Sequence, residues 1–341
     1  MNFEVPDRIG IFDWHWAAAL NRWREEGLPE DANLSKHFGY DMISIGVDSS
    51  FRLERKILEE TEETYIERNS FGMTQRQWKG EKQGAPHQID TAVKTRSDWE
   101  GLKNRFMPSS DRFEDNVVQK TRQLHEEGYW INYWYLEPFE LVWRFFGFKE
   151  TLMLMAEDPE FLSELFEACA DQVIDNFDEA VARGAEFDGN FAGGDLAGKN
   201  GPLFSPRMYR ELLMPHHRRI FQHFNNRGVP TFYHGDGDER ELLDSLIEAG
   251  VVAMHPLEQK AGMDLFDLKR GYGDKLVLFG GIDVRNLGGS REEIEKEIRT
   301  KVPVAMENGG YIYCVDHSVA PSVSYENYLY VLHLIREEGV Y

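Results

Sequence analysis

The stretch VPTFYHGDGDERELLDSLIEAGVVAMHPLE, residues 229–258, carries two short apolar runs on either side of an amphipathic segment. The runs VPTFYHGD and VVAMHPLE have the length of buried strands, whereas ERELLDSLIEAG spaces its apolar residues as a helix does and ends in Gly. A helix that joins two buried strands is typical of parallel pairing, because parallel neighbours need a crossover connection. This stretch therefore predicts one strand–helix–strand unit of an α/β fold.

The same pattern recurs along the chain from residue 129 onward. Further apolar runs of strand length are YWINYWYL (129–136), AEFDGNFA (185–192), KLVLFGGID (275–283) and GGYIYCVDH (309–317). Helix-like segments lie at 158–184, which opens on Asp-Pro and ends in Gly, and at 205–228. Strands at this wide spacing predict an α/β protein with a single (β/α)8 TIM-type barrel. A doubly wound sheet is the alternative, although no GxGxxG follows any of the strands.

The first 105 residues show a less regular pattern. An apolar run occupies residues 41–47, and alternating side chains on both sides of residues 69–72 predict an exposed antiparallel β-hairpin. We therefore predict one domain over residues 1–341. Within it, residues 1–105 would form an N-terminal cap with a β-hairpin extension, and residues 106–341 would form the barrel core.

Composition restricts the class of protein. Of 341 residues, 41% are hydrophobic, which supports a sizeable core and excludes a disordered chain. The 38 Lys and Arg residues against 60 Asp and Glu give a net charge of −22, and such a surface repels nucleic acid and anionic lipid. We expect no nucleic-acid or membrane partner and, without a signal-peptide pattern, a cytoplasmic protein. Two cysteines are too few for a structural zinc cage, so a metal would need His and carboxylate ligands.

Candidate catalytic side chains stand where predicted strands end, because a parallel barrel builds its active site there. The strongest signal is YHGDGD, in which His234 and Asp236 share one face and the glycines allow a sharp turn. The pair suits a divalent metal, or a carboxylate that orients an imidazole for acid–base work. A Gly-Asp turn that merely closes the strand is the alternative. The other strand ends carry Glu137, Asp195, His255 with Glu258, Asp283 with Arg285, and Asp316 with His317.

Two aromatic runs supply candidate pocket residues. FDWHWAA (12–18) contains Trp14 and Trp16, and YWINYWYL contains Trp134 and Tyr135. Rings of this kind line apolar pockets for flat substrates, but they also fill protein cores. We predict that these four side chains form a substrate pocket, with the core as the alternative for each ring.

Five pieces of the chain, in this order, resemble the uroporphyrinogen decarboxylase superfamily, and in particular its corrinoid-dependent methyltransferases. They are DRIGIFDWHWAAALNRWREEGLPED with HFGYD, GGDLAGKNGPLFSPRMYRELLMPHHRRIF, YHGDGD, GGIDVR and DHSVAPSVSYENY. The resemblance implies a (β/α) barrel whose cavity opens at the carboxyl ends of the strands. The decarboxylases of the superfamily hold their poly-acidic substrate with an N-terminal arginine-rich motif. This chain reads FDWHWAAALNRW there, which disfavours such a substrate.

The resemblance also implies a metal and a partner. The methyltransferases hold zinc with a His-x-Cys pair and a further ligand after the last strand, and a separate corrinoid protein carries the methyl group. Carried over, these positions fall on His234, Asp236 and His317. His255 or Glu258, at the end of the next strand, is a candidate fourth ligand. A His and carboxylate set suits zinc or another divalent metal and favours an oxygen-bearing substrate. Asp195 and Asp316 would orient the ligands or handle protons.

The function predicted from the sequence is methyl transfer between a small, methoxylated aromatic substrate and a corrinoid protein, at a metal site. A carboxy-lyase that acts on another substrate is one alternative. A barrel that binds a small molecule without catalysis is the other, since the cysteine ligands of the methyltransferases are replaced. The sequence leaves a homo-oligomer open.

Overall fold

The computed structural model describes residues 5–79 and 86–341. Its strands are β1 (Gly10–Ile11), β2 (Met42–Gly46), β3 (Lys56–Glu60), β4 (Thr64–Arg68), β5 (Thr74–Trp78), β6 (His87–Asp90), β7 (Trp130–Leu136), β8 (Gly189–Gly193), β9 (Ala197–Gly198), β10 (Gly201–Pro202), β11 (Thr231–His234), β12 (Val251–His255), β13 (Val277–Phe279) and β14 (Tyr311–Tyr313).

The α-helices surround these strands. They are α1 (Ala17–Glu25), α2 (Leu34–Phe38), α3 (Arg96–Phe106), α4 (Val117–Glu126), α5 (Pro138–Phe146), α6 (Phe148–Glu157), α7 (Pro159–Ala182), α8 (Pro206–Met208), α9 (Met214–Asn225), α10 (Leu243–Ala249), α11 (Leu265–Tyr272), α12 (Val284–Leu287), α13 (Arg291–Met306) and α14 (Tyr325–Glu338). A π-helical turn, Tyr209–Leu213, joins α8 to α9. None of the described helices is long and apolar enough to cross a bilayer.

Eight of the described strands form one sheet in the order β1-β14-β13-β12-β11-β8-β7-β2, and all neighbours are parallel. The two edges meet at Asp41, the residue just before β2. The backbone N–H of Asp41 donates to the Ile11 carbonyl at 2.9 Å. The Ile11 N–H in turn donates to Asp41 Oδ2 at 2.7 Å. The sheet therefore curves into a nearly closed barrel. This confirms the predicted (β/α)8 fold and excludes the doubly wound sheet.

The barrel begins earlier than the sequence analysis predicted. Strands β1 and β2 both precede residue 106, so the predicted boundary between a cap at 1–105 and a core at 106–341 is wrong. The physical reason is length, because a two-residue strand such as β1 leaves no periodic pattern in the sequence. Its place in the sheet depends on its long-range pairing with β14.

A separate antiparallel sheet, in the order β3-β4-β5-β6, follows β2 in the chain. Strands β4 and β5 form the predicted hairpin around residues 69–72. Its turn depends on Asn69, whose side-chain oxygen accepts the N–H groups of Phe71 and Met73 at 3.0 and 3.1 Å. The hairpin prediction is therefore confirmed, and the structure adds two further strands to it.

The core has two parts, one inside the barrel and one between the strands and the helices. Side chains that fill the barrel interior are Phe12, Met42, Phe191, Phe232, Ala253, Val277, Phe279, Ile312 and Cys314. Along β7, Trp134 packs against this interior cluster, whereas Tyr133 and Tyr135 belong to the outer core. This alternation is the two-residue period of a strand, and it decides which side chains can reach the mouth of the barrel.

Candidate metal centre and active site

A cavity of about 440 Å³ lies where strands of the barrel end. Its lining residues are Trp14, Trp16, Pro86, Asp195, His234, Asp236, His255, Pro256, His317 and Ser318. The volume is typical of a site for a small ligand. A larger surface cleft of about 650 Å³, near Lys269 and Lys275, contains none of these side chains.

Strand β11 delivers His234 and Asp236 to this cavity. His234 is the last residue of the strand, and Asp236 follows between Gly235 and Gly237. Gly237 has a φ of +95°, and a Cβ atom there would lie 2.7 Å from the carbonyl oxygen of Ala197. Only glycine fits this turn without strain, so the turn that carries Asp236 is encoded locally by the sequence.

Asp195 approaches the same point from the loop after β8. Its Oδ1 accepts the backbone N–H of Asp236 at 3.0 Å, which couples the two loops. Asp195, His234 and Asp236 each offer one ligand atom, and these atoms all lie within 4.8 Å of one another. One imidazole and two carboxylates at this separation suit a divalent metal.

The hydrogen bonds of Asp236 support this interpretation. Its Oδ1 is buried and has no hydrogen-bond partner in the part of the chain that the structure describes. Its Oδ2 lies 3.2 Å from Nε2 of His317. A buried carboxylate oxygen without a partner is costly unless another group satisfies it. The residues present therefore fit a bound cation.

Electrostatics shift the pKa values of the two carboxylates in opposite directions. Burial alone would raise the pKa of Asp236, but the hydrogen bond from His317 and the charge of His234 outweigh it, and the pKa ends below its usual value. The same hydrogen bond raises the pKa of His317. At Asp195, burial and the charge of Asp236 raise the pKa, while the charge of His234 lowers it.

His317 lies beside the ligand cluster and is not a member of it. Its Nε2 faces Asp236, and its Nδ1 accepts the backbone N–H of Ser318 at 2.7 Å. Its ring also stacks on Trp16, with centroids 5.8 Å apart and an angle of 16° between the planes. Both nitrogens of His317 are thus engaged, and Asp195 occupies the place in the cluster that the sequence analysis gave to His317.

The structure does not bring Glu258 into the cluster, contrary to the prediction. Glu258 Oε2 accepts the Gly237 N–H at 2.7 Å, and its Oε1 pairs with Lys260 at 2.7 Å. Both oxygens are therefore committed to other groups. Glu258 supports the turn that carries Asp236, because it accepts the backbone N–H of the next residue, Gly237.

Asp316 also has a different role from the one predicted. Its Oδ1 accepts the N–H of Val284 at 2.9 Å, and its Oδ2 accepts the N–H of Gln259 at 3.0 Å. Burial raises its pKa to about 6. Adjacent residues after a strand diverge, so Asp316 ties two loops together while His317 reaches the cavity.

The four predicted pocket aromatics lie in different environments. Trp14 and Trp16 line the cavity, and the Trp14 ring contacts His234 with centroids 5.0 Å apart. Trp134 packs edge-on behind Trp14 at 5.2 Å. The prediction for Tyr135 is wrong, because it points away from the barrel interior, where its hydroxyl donates to Asn190 at 3.0 Å and its ring stacks on Phe224.

His255 is the neighbour of His234 on the adjacent strand. The register pairs the two residues, and their Nδ1 atoms lie 2.9 Å apart. Burial, reinforced by the charge of His234, holds the pKa of His255 well below its usual range, so its ring is neutral. The sequence analysis offered His255 as an alternative fourth ligand, but it could not predict the contact with His234, because register across neighbouring strands cannot be read from one strand.

The sequence analysis listed Glu137 as a strand-end residue but did not predict its buried partner, His217. His217 of α9 is fully buried, and its Nε2 lies 2.8 Å from Glu137 Oε2. Glu137 also caps α5 by accepting the N–H groups of Phe139 and Glu140. The only sequence signal is the apolar face of the helix that carries His217, on which it lies with Phe221 and Phe224.

Comparison with known proteins decides the family. Residues 136–338 match the family model of uroporphyrinogen decarboxylase (URO-D). The chain belongs to the URO-D family. This confirms the resemblance to the superfamily, and the matched region begins in β7 and extends to α14.

Curated members of the URO-D family give the same result. Uroporphyrinogen decarboxylases from Pseudoalteromonas translucida and Saccharopolyspora erythraea are 28% and 30% identical to the chain over 192 and 204 residues. These alignments cover 52% and 56% of this chain and 49% and 53% of those proteins. The chain thus aligns with only about half the length of the relatives.

A solved structure of a methyltransferase from Methanosarcina mazei has the same fold. It matches 97% of this chain and 94% of its own, with a TM-score of 0.69 and 15% sequence identity. At this identity the likeness concerns the fold alone. It extends over both the matched URO-D region and the N-terminal segment that the family model does not cover.

Proposed function

We propose that this URO-D family member is a metal-dependent methyltransferase that moves a methyl group between a small, methoxylated aromatic substrate and a corrinoid protein. The observation that carries the proposal is the Asp195, His234 and Asp236 cluster, with an unsatisfied Asp236 oxygen, at the wall of a partly aromatic cavity. Zinc is the first candidate for the metal, because one imidazole and two carboxylates are common zinc ligands.

The chain's own residues would divide the work. Asp195, His234 and Asp236 would hold the ion, and His317 would orient Asp236 through its hydrogen bond. A bound divalent ion would act as a Lewis acid toward the ether oxygen of the substrate. Trp14 and Trp16 would hold the flat ring of the substrate beside the ligand cluster.

The chemistry balances without an oxidant. The methyl carbon would form its new bond with an electron pair supplied by the partner's reduced corrinoid, and the pair of the broken carbon–oxygen bond would stay on oxygen. That oxygen would take up a proton from water, so that the products would be a methylated corrinoid and a phenol. The cavity opens to the protein surface, which is what a cofactor carried by a second protein requires.

The lining of the cavity disfavours decarboxylation of a poly-acidic substrate. Two of the side chains are carboxylates, and none of the described lining residues is Arg or Lys. A substrate with many carboxylates needs a cluster of cationic side chains to bind it. The net charge of −22 on the protein increases that need, because it repels such a substrate. The decarboxylase names of the curated relatives nevertheless make a lyase the rival function.

The deciding experiment uses the full chain in parallel assays. Metal content is measured first, and zinc-loaded protein is then incubated with uroporphyrinogen, and separately with methoxylated aromatics plus a reduced corrinoid protein. We expect methylated corrinoid and a phenol in the second assay, and loss of both products in Asp236→Asn. Coproporphyrinogen formation with no methyl transfer would establish the lyase. Tight ligand binding without turnover in either assay would establish a binding protein.

A further inference from the structure

The antiparallel sheet outside the barrel has an open edge at β3. This strand pairs with β4 on one side, and no described strand pairs with it on the other. All five of its side chains are exposed, and Ile57 and Leu58 are exposed to 52% and 51%. An edge strand presents backbone N–H and C=O groups that can pair with a further strand. The outer edge of β3 is therefore a surface on which another chain could add.

The order of charges along this edge makes it complementary to itself. Residues 55–60 read RKILEE, which is two basic, two apolar and two acidic residues. Two copies of this segment can pair antiparallel about a two-fold axis between residues 57 and 58. In that register every basic residue faces an acidic residue of the other copy, and the apolar residues face each other. Opposite charges across a strand pair stabilise the pair, whereas like charges destabilise it.

The inner charged residues of the segment are available for such a contact. Lys56 and Glu59 are exposed, and neither forms an ion pair with any other residue that the structure describes. The end residues, 55 and 60, already form ion pairs of 2.5 Å within the chain, with Glu67 and Lys79. The two-fold register would therefore add the Lys56–Glu59 contact twice, once on each side of the axis.

A second copy suits this edge better than an unrelated strand does. The register of β3 against β4 shifts between Ile57 and Glu59, which leaves Leu58 in a bulge, and bulges and charges usually prevent pairing at an edge. Only a partner with the reversed order of charges escapes the repulsion, and an identical segment has that order. The net charge of −22 also repels two copies, but residues 55–60 carry as many positive as negative charges.

We propose that the outer edge of β3 binds the same edge of a second copy of this chain, so that two four-stranded sheets become one eight-stranded antiparallel sheet. The interface is isologous, as in most homodimers, and its main-chain hydrogen bonds are those of strand addition. Stable interfaces bury about 1,200–2,000 Å², and a contact of six residues per copy is smaller, so we expect a dissociation constant in the micromolar range. The inference does not depend on the proposed function.

Sedimentation velocity of the full chain over a range of concentrations measures the dimer. Lys56→Glu and Glu59→Lys each place like charges across the axis at two positions, and each should weaken the dimer by about 10-fold. The double variant exchanges the two charges and should regain the wild-type dissociation constant. Glu59→Lys is the sharper single variant. It makes the net charge less negative, so general repulsion between copies would predict a tighter dimer instead.

Lys149→Glu is the matched control for the change in charge. Lys149 is exposed on α6, outside the sheet, and the variant should dimerise as the wild type does. Amide hydrogen exchange gives a second readout, because exchange within residues 55–60 should slow at concentrations where the dimer forms. A wild type that stays monomeric up to millimolar concentration overturns the inference and shows that the bulge and charges protect the edge. A dimer that neither single variant weakens, or a double variant as weak as the single ones, overturns it too.

Discussion

Nε2 of His317 lies 3.2 Å from Oδ2 of Asp236, although 80 residues separate the two in the chain. The contact joins the end of the last barrel strand to the end of β11 across the mouth of the cavity. It leaves the other oxygen of Asp236 buried and without a hydrogen-bond partner in the described part of the chain. His317 thus holds one oxygen of Asp236, and the other oxygen is available to a ligand.

This relationship predicts different outcomes for two substitutions of His317. His317→Ala removes the donor that orients Asp236, and we expect Zn²⁺ affinity to fall by about 10-fold or more. His317→Gln offers an amide N–H at a similar reach and should retain most of the affinity. Chelator competition measures both. Equal losses in the two variants would show that His317 does not act through this hydrogen bond.

Trp16→Ala should impair substrate binding and leave stability almost unchanged. The ring is 42% exposed and lines the cavity, so its loss removes a surface that the substrate would pack on while creating no cavity in the core. We expect KM for the methoxylated substrate to rise roughly 5- to 30-fold, which corresponds to about 1–2 kcal/mol of binding free energy.

Trp78→Ala is the matched control for this prediction. Trp78 is also 42% exposed, but it belongs to β5 of the antiparallel sheet and does not line the cavity. Its KM should equal that of the wild type. An unchanged KM in Trp16→Ala together with a loss of about 3–5 kcal/mol in stability would place that ring in the core.

Gly237→Ala should destabilise the protein through a clash at the ligand turn. The positive φ alone costs an alanine about 1–2 kcal/mol, and the 2.7 Å approach to the Ala197 carbonyl adds about 1–3 kcal/mol more. Gly27→Ala isolates the first of these costs, because Gly27 has a φ of +113° and open space around it. Urea denaturation of both variants gives the difference, and equal losses would contradict the clash.

Glu140→Gln should change how the stability of the protein depends on pH. Burial raises the pKa of Glu140 from 4.5 to about 7, with Arg144 opposing this shift. A pKa raised on folding means that the buried charge destabilises the protein above about pH 7, and that this cost disappears as the pH falls toward 4.5. The wild type should therefore gain stability relative to Glu140→Gln between pH 8 and pH 5, by roughly 3 kcal/mol at most.

Denaturation curves of the two proteins at each pH provide the measurement. The glutamine variant has no titrating group at this position. The loss of the Glu140 hydrogen bonds therefore changes its unfolding free energy by the same amount at every pH. A constant difference in unfolding free energy from pH 5 to pH 8 would show that Glu140 does not titrate in this range.

Local sequence patterns were enough to predict the α/β class, the barrel and the main ligand turn. Apolar runs separated by amphipathic segments follow from local period and length, and YHGDGD places His234 and Asp236 on one face of a turn that glycine alone permits. The family was also readable, because its pieces keep their order along the chain and residues 136–338 match its model.

Only the tertiary structure shows which side chains meet. Asp195 enters the cluster and Glu258 leaves it because the loops after different strands converge at one end of the barrel, and nothing in either loop records that distance. The contact between His234 and His255 depends on the register of two strands, which is set by pairing between them. Local sequence fixes the phase of a side chain on its own strand, whereas the neighbour it meets depends on how the closed sheet aligns all its strands.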